Sequence, residues 1–221
     1  MKRFLFQWVW LLFVVALPAS ALAAEEQPTI LVVGDSLSAG YGLRPGESWV
    51  KLLEDRLAEN ERGYDVVNAS ISGDTSRGAL ARLPRALDVH DPDIVIIEIG
   101  GNDGLRGLPL AELRGNLEQM IAMSREAGAD VLLLGIRLPA NYGPDYTRDF
   151  RQLYSDLAEA EQVPMVHFVR EEVALNPELM QDDGVHPNAD AQPLMLDYVW
   201  PGLQPLLEQQ GAGTAASADA G

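Results

Sequence analysis

The sequence predicts a single open α/β domain built on a parallel sheet, and three observations predict it. Five short runs rich in Val, Ile and Leu, at 29–33, 65–69, 94–99, 131–136 and 163–168, lack period-two alternation, the pattern of strands buried on both faces. Apolar residues at helical spacing lie between those runs. No internal repeat and no Ser/Pro-rich linker divides residues 24–209.

Taken in order, the first 23 residues read as a cleavable secretory signal rather than as fold. Lys2 and Arg3 precede an apolar run from Phe4 to Leu17, and Pro18 with Ala21-Leu22-Ala23 supplies a small-x-small cleavage pattern. That run is too short to span a bilayer, which needs about 20 apolar residues, so stable membrane insertion is not expected and the mature chain is expected in the periplasm or the medium. The first strand run then ends in a glycine-rich turn. Trp49, Val50, Leu52, Leu53 and Leu57 mark the helix that follows, Leu110, Leu113, Leu117, Met120 and Ile121 a second, and Phe150, Leu153 and Leu157 a third. Pro109 and Pro144 stand where helices begin, and Ala127-Gly128-Ala129-Asp130 closes one before the fourth strand run. Residues 210–221, Gly/Ala/Ser-rich and without periodicity, are expected to be a disordered tail.

Composition narrows the function classes. Of 221 residues 47% are apolar and 22% charged, which suits a packed core. Acids outnumber bases 33 to 16 for a net charge of −17, which argues against a nucleic-acid partner, since such partners are met by a basic face. The chain has no cysteine, which removes disulfides, thiolate metal sites and a cysteine nucleophile. Lysine occurs only at Lys2 and Lys51, so no polybasic membrane patch forms. A small soluble catalyst or binding protein remains, and a monomer is expected.

In a parallel sheet the loops after the strand C-termini hold the site. Gly34-Asp35-Ser36-Leu37 follows the first run, Ser70-Ile71-Ser72-Gly73 the second, Gly100-Gly101-Asn102-Asp103 the third and Arg137-Leu138-Pro139 the fourth. The Gly34 turn lacks both the dinucleotide Gly-x-Gly-x-x-Gly spacing and a Gly-Lys-Ser/Thr, so it does not read as a phosphate cradle. A turn that lifts Ser36 clear of the sheet fits better, and a serine nucleophile needs a base. Histidine occurs only at 90, 167 and 186. His90 falls upstream of the third strand run, at the wrong edge, and reads as a solvated loop residue; His167 sits inside the fifth run and reads as an ordinary strand histidine. His186 remains, with Asp183 three residues before it across a glycine, close enough to fix the imidazole tautomer. Asp183 and His186 could instead be a metal pair, although a closed site is hard to assemble without cysteine or a second suitable histidine. Backbone N–H groups of Ser36 and Gly73 and the amide of Asn102 are candidate oxyanion donors, while Gly-Asn-Asp-Gly is also ordinary turn composition.

Gly34-Asp35-Ser36-Leu37, Gly73, Gly100-x-Asn102-Asp103 and Asp183-x-x-His186 resemble, in order, the four blocks of the SGNH or GDSL hydrolase family. The stretches 100–107, 137–143 and 181–188 are similar to its subgroup of periplasmic multifunctional acyl-CoA thioesterases, lysophospholipases and arylesterases. The resemblance implies a three-layer α/β/α sandwich of flavodoxin-like type with strand order 2-1-3-4-5. It also implies Ser36 as nucleophile, His186 as base, Asp183 as its orienter, an oxyanion hole of Ser36, Gly73 and Asn102, and neither metal nor cofactor. The substrate would be a small-molecule acyl ester or thioester. Leu105, Arg106, Gly107, Leu108 and Pro109 could open and close over its acyl chain, a loop that moves in the resembling subgroup, and Leu138 with Pro139, Tyr142 and Tyr146 could form the opposite apolar wall or simply pack. A carbohydrate O-deacetylase with the same triad and a non-catalytic periplasmic binding protein are the competing readings.

Overall fold

The computed structural model describes residues 27–60 and 62–218, with side chains through residue 210, so the expected signal segment lies outside the described residues. Five strands form one sheet: β1 (Thr29–Gly34), β2 (Asp65–Asn68), β3 (Ile94–Glu98), β4 (Asp130–Gly135) and β5 (Met165–His167). Their order is β2-β1-β3-β4-β5, every neighbouring pair is parallel, and Leu31 sits between Val67 and Val95. The central strands β1, β3 and β4 are buried almost throughout, as their unbroken apolar runs require. The expectation of double burial fails for β2 and β5, which are only partly covered. They are the two edges of the sheet and have a neighbour on one side only.

Side-chain alternation along the strands divides the core into two layers. Leu31, Val33, Val95, Ile97, Val131 and Leu133 face α3 (Ser76–His90), α5 (Leu110–Glu126) and α6 (Pro144–Glu161). Ile30, Val32, Ile94, Ile96, Leu132 and Leu134 face α2 (Trp49–Glu59) and α8 (Gln192–Ala218). A side chain of this size contributes about 1.5–3 kcal/mol when fully buried, so both sheet faces need their helices. The short helices α1 (Ser36–Ala39), α4 (Gly101–Leu105) and α7 (Glu171–Ala174) follow β1, β3 and β5 at the C-terminal edge of the sheet.

Two elements differ from the sequence expectation. The helix α3 was not signalled, because Gly78 and Pro84 interrupt a stripe in which Ala79, Leu83 and Leu87 are nonetheless buried at intervals of four. His90 is therefore the last residue of a helix, not a loop residue, although it does lie before β3 at the edge away from the site. The backbone of α8 continues helical to Ala218, into the segment expected as a disordered tail; the alanines there favour helix more than any other residue.

Candidate active site

The turn after β1 is set by a close approach. A Cβ on Gly34 would lie 2.7 Å from a carboxylate oxygen of Glu98 and 2.8 Å from the Ser38 side chain, so only glycine lets β1 end against β3 here. Asp35 then caps α1 by accepting the Leu37 N–H at 3.1 Å, and Ser36 becomes the first residue of that helix. Gly40, at φ 75°, ends the helix after one turn and returns the chain to the surface.

His186 reaches Ser36 from the far end of the chain. The loop carrying it is closed by the Gln181 N–H to the His186 carbonyl (2.8 Å), by the Gly184 N–H to the Gln181 carbonyl (2.9 Å), and by Gly184 at φ 65°. The Gln181 amide donates to the carbonyls of Tyr41 and Pro187, which staples this loop to the Ser36 turn. His186 Nε2 thereby stands 2.9 Å from Ser36 Oγ, and its Nδ1 stands 2.6 Å from Asp183 Oδ2. With the Nδ1 proton on the Asp183 side, Nε2 is left to accept the serine proton. The other Asp183 oxygen accepts the backbone N–H groups of Val185 and His186, both at 2.9 Å. Burial opposes ionisation of Asp183, but those two N–H groups and the imidazole outweigh it and hold the carboxyl at about 2.

The oxyanion candidates converge less completely. No acceptor among the described residues takes the N–H of Ser36 or Gly73, and Gly73, at φ 81°, has open space where a side chain would stand. Asn102 is held beside them: its Nδ2 donates to the Asp74 carbonyl at 2.8 Å and to Asp35 Oδ2 at 3.2 Å. Arg106 Nη2 donates to the Gly73 carbonyl at 2.8 Å, tying the same two loops together. Beneath Asn102, buried Asp103 accepts the N–H and hydroxyl of Ser76 at 2.8 and 2.6 Å, which fixes the start of α3 against α4.

A serine from one loop and an imidazole and carboxylate from another, in relay at one sheet edge, are the parts of an acyl-transfer site. The GDSL-like Lipase/Acylhydrolase family matches residues 32–193 of the chain. The chain belongs to that family. It is 53% identical to "Esterase TesA" of Pseudomonas aeruginosa over 179 residues, covering 81% of this chain and 89% of that protein. It is 47% identical to "Thioesterase 1/protease 1/lysophospholipase L1" of Escherichia coli over 203 residues, 91% of this chain and 95% of that one. Among solved structures, the psychrotrophic esterase EstA from Pseudoalteromonas sp., inhibited by monoethylphosphonate, superposes with a TM-score of 0.77 at 41% identity, covering 82% of this chain and all of that one.

In this acylhydrolase a cavity of about 160 Å³ opens beside Ser36 and His186. Leu105 and Leu138 line it as the sequence suggests, and so do Pro139, Ile136, Leu175 and Val185. Arg106, Gly107, Leu108 and Pro109 do not: α4 stops at Leu105, Gly107 turns at φ 64°, and the chain leaves toward α5. Tyr142 and Tyr146 are not walls either. Their hydroxyls donate to the backbone carbonyls of Leu105 and Gly104, at 3.0 and 3.4 Å, and brace α4 from outside. Neither His90 nor His167 lines the cavity.

Sequence reasoning missed Tyr41, whose ring lies 4.6 Å from the His186 ring and shields one face of the imidazole. Its setting between Gly40 and Gly42 was the available signal. It also missed Val169, Ala174, Leu175 and Met180 on the cavity wall, which come from the one-turn helix α7 and the irregular chain around it after β5, too short for any periodicity to point to them.

Proposed function

We propose that the chain is a serine hydrolase of carboxylic esters and thioesters of acyl chains, working through an acyl-serine intermediate. The observation that carries this reading is the unbroken relay from Ser36 Oγ through both ring nitrogens of His186 to Asp183. Ser36 Oγ attacks the carbonyl carbon while its proton passes to His186 Nε2, and Asp183 stabilises the imidazolium. The carbonyl oxygen carries the developing negative charge toward the N–H groups of Ser36 and Gly73 and the amide of Asn102. Collapse expels the alcohol or thiol, which takes the proton from His186. A water molecule then loses a proton to His186 and attacks the acyl carbon, Ser36 leaves with the proton returned, and the carboxylic acid departs. No cofactor takes part in this sequence.

The apolar lining by Leu105, Ile136, Leu138 and Leu175 favours an acyl chain over an acetylated sugar, and so favours this reading over a carbohydrate O-deacetylase. The names of the relatives, esterase and thioesterase with lysophospholipase, agree with an acyl substrate. Placement in the periplasm or medium rests on the apolar segment at 4–17; among the described residues no helix is long and apolar enough to cross a membrane. Covalent labelling by a fluorescent organophosphonate tests the reading: one label per chain, on Ser36, is expected. A protein that stays unlabelled while folded is a binding protein and not a hydrolase.

A further inference from the structure

Next to the acyl cavity the structure gathers cations that the reaction above does not use. Arg137, Arg148 and Arg151 line a hollow of about 640 Å³ with His167, Thr147 and Ser155 and no carboxylate in its wall. A second hollow of about 450 Å³ is lined by Arg137, Arg151, Arg170 and His167, with Glu171 and Glu172 at its wall. Four arginines therefore meet around one histidine in a chain with 33 acids against 16 bases, where chance would favour an acidic surface.

Carboxylates pair directly with only two of these four arginines. Glu171 pairs with Arg137 at 2.6 Å, and Asp145 and Asp149 take Arg148 at 2.7 and 2.8 Å. Arg151 makes no direct hydrogen bond or ion pair among the described residues, and its charge acts on Glu171 and on His167 only at longer range. Arg170 has no such partner either; its guanidinium lies 4.3 Å from the centre of the Tyr198 ring, near Glu172. Neither ring nitrogen of half-buried His167 has a hydrogen-bond partner among the described residues. Its pKa is lowered, first by burial and then by the charges of Arg151 and Arg170, so at neutral pH it adds a neutral N–H rather than a further charge. Guanidinium groups whose N–H donors are not taken by direct hydrogen bonds, beside a neutral donor, suit the oxygens of a phosphoryl group, which accept several such bonds together.

Continuity says what would occupy the site. Arg137 and Leu138 line the acyl cavity and the arginine-walled hollow alike, so one molecule can reach from Ser36 into the cluster. We infer that Arg151, Arg170 and His167, with Arg137 at the junction, form a subsite for the phosphoryl group of a phosphorylated acyl ester or thioester. This rests on the hydrolase reading and adds the polar half of the substrate. The phosphate could belong to a lysophospholipid headgroup or to the nucleotide part of an acyl thioester, and the two are chemically alike at this site.

The test compares the full-length wild-type enzyme with Arg151→Gln and with the double variant Arg151→Gln/Arg170→Gln. Arg151 is exposed and makes no direct hydrogen bond or ion pair, so the single variant leaves the fold alone even if loss of the Tyr198 stack harms the double. Steady-state kinetics are measured on three substrates of one acyl length: a p-nitrophenyl ester, an acyl-CoA and a lysophosphatidylcholine. A rise in KM of roughly five- to tenfold for a phosphate-bearing substrate is expected, with kcat and the p-nitrophenyl ester unchanged. A rise for acyl-CoA alone assigns the subsite to nucleotide phosphates, for the lysolipid alone to the headgroup, and for both to any phosphoryl group. No change for either, or an equal change for all three, overturns the inference. Calorimetric titration with inorganic pyrophosphate separates it from the hydrolase reading. Binding that the double variant lacks supports the subsite even if no ester is cleaved, and absence of binding by a wild type that cleaves all three equally in both forms removes the subsite and leaves the hydrolase.

Discussion

The Ser38 hydroxyl donates to Glu98 across 2.6 Å, between two side chains that are both wholly buried. This bond fastens α1, and with it Ser36, to the end of β3. Its setting is electrostatically costly. The second Glu98 oxygen has no hydrogen-bond partner, Asp35 is buried beside it, and burial followed by the charge of Asp35 pushes the Glu98 carboxyl well above the ordinary range. Asp35 is raised to about 6, chiefly by burial, against the lowering effects of the Leu37 N–H, His186 and Asn102.

Asp35 therefore makes the fold less stable as it ionises. Its folded pKa of about 6 lies above the ordinary value of 3.8, so the folded state binds the proton more tightly and this stability is present below about pH 4 and lost as pH rises to about 6. A shift of this size corresponds to on the order of 2–3 kcal/mol. Asp35→Asn removes the titration. The stability of the variant relative to wild type is expected to rise by about 2 kcal/mol between pH 4 and pH 7.5. Chemical denaturation at both pH values measures it, and a difference that does not change with pH refutes the assignment. The slope decides the matter, because the new amide also changes the contact with Asn102 at both pH values.

Ser36→Ala is expected to remove ester hydrolysis, by about 10⁴–10⁶ in rate, while melting stays near that of wild type. Ser36 is only partly buried and its hydroxyl serves His186 alone, so little of the fold depends on it. Turnover of even a tenth of wild type, in protein freed of contaminating esterase, would falsify the nucleophile assignment.

His186→Ala is expected to be as damaging as Ser36→Ala, whereas His90→Ala and His167→Ala keep substantial turnover of a p-nitrophenyl ester. His90 ends α3 on the side of the sheet away from Ser36, and His167 lies outside the acyl cavity. A panel in which the His167 variant is the inactive one points the chemistry at the arginine-walled hollow instead.

Chelation is expected to leave hydrolysis intact. Both His186 nitrogens and both Asp183 oxygens are already engaged, with each other, with Ser36 and with backbone N–H groups, so the pair offers no free position to a metal ion. Activity lost on dialysis against EDTA and restored by one divalent metal would support the metal-pair reading of Asp183 and His186.

Much of the site was legible because its parts sit in short motifs at strand ends, and strand ends are easy to find when β1, β3 and β4 are unbroken apolar runs. The relation of Asp183 to His186 is local, and three residues across Gly184 are enough to read it. What could not be read depends on contacts between distant segments. Of the segment 105–109 expected over the acyl chain only Leu105 lines the cavity, because the end of α4 and the positive φ at Gly107 decide where the chain goes, and no apolar pattern records either. Tyr41 meets His186 across most of the chain length, and Glu98, the one polar residue in the third apolar run, meets Ser38 and Asp35 only once β1 pairs with β3.

Asn102 joins three loops at the site, and its amide is engaged before any substrate arrives. Its two amide hydrogens already have acceptors, the Asp74 carbonyl at 2.8 Å and Asp35 at 3.2 Å, so an oxyanion gains one only by sharing or displacing the longer bond. If it does so in the transition state, Asn102→Ala lowers kcat by about 10²–10³, or about 3–4 kcal/mol, with a much smaller change in KM, because the charge it meets is absent from the bound substrate. If Asn102 only braces the Asp74 and Asp35 loops, the variant melts at lower temperature and each folded molecule turns over normally. Both bonds are real in the resting site, so some loss of stability is expected either way, and melting alone decides nothing. Turnover per folded molecule, measured on the same preparation as the melting temperature, does decide: a destabilised but fully active variant leaves the backbone N–H groups of Ser36 and Gly73 as the remaining donors.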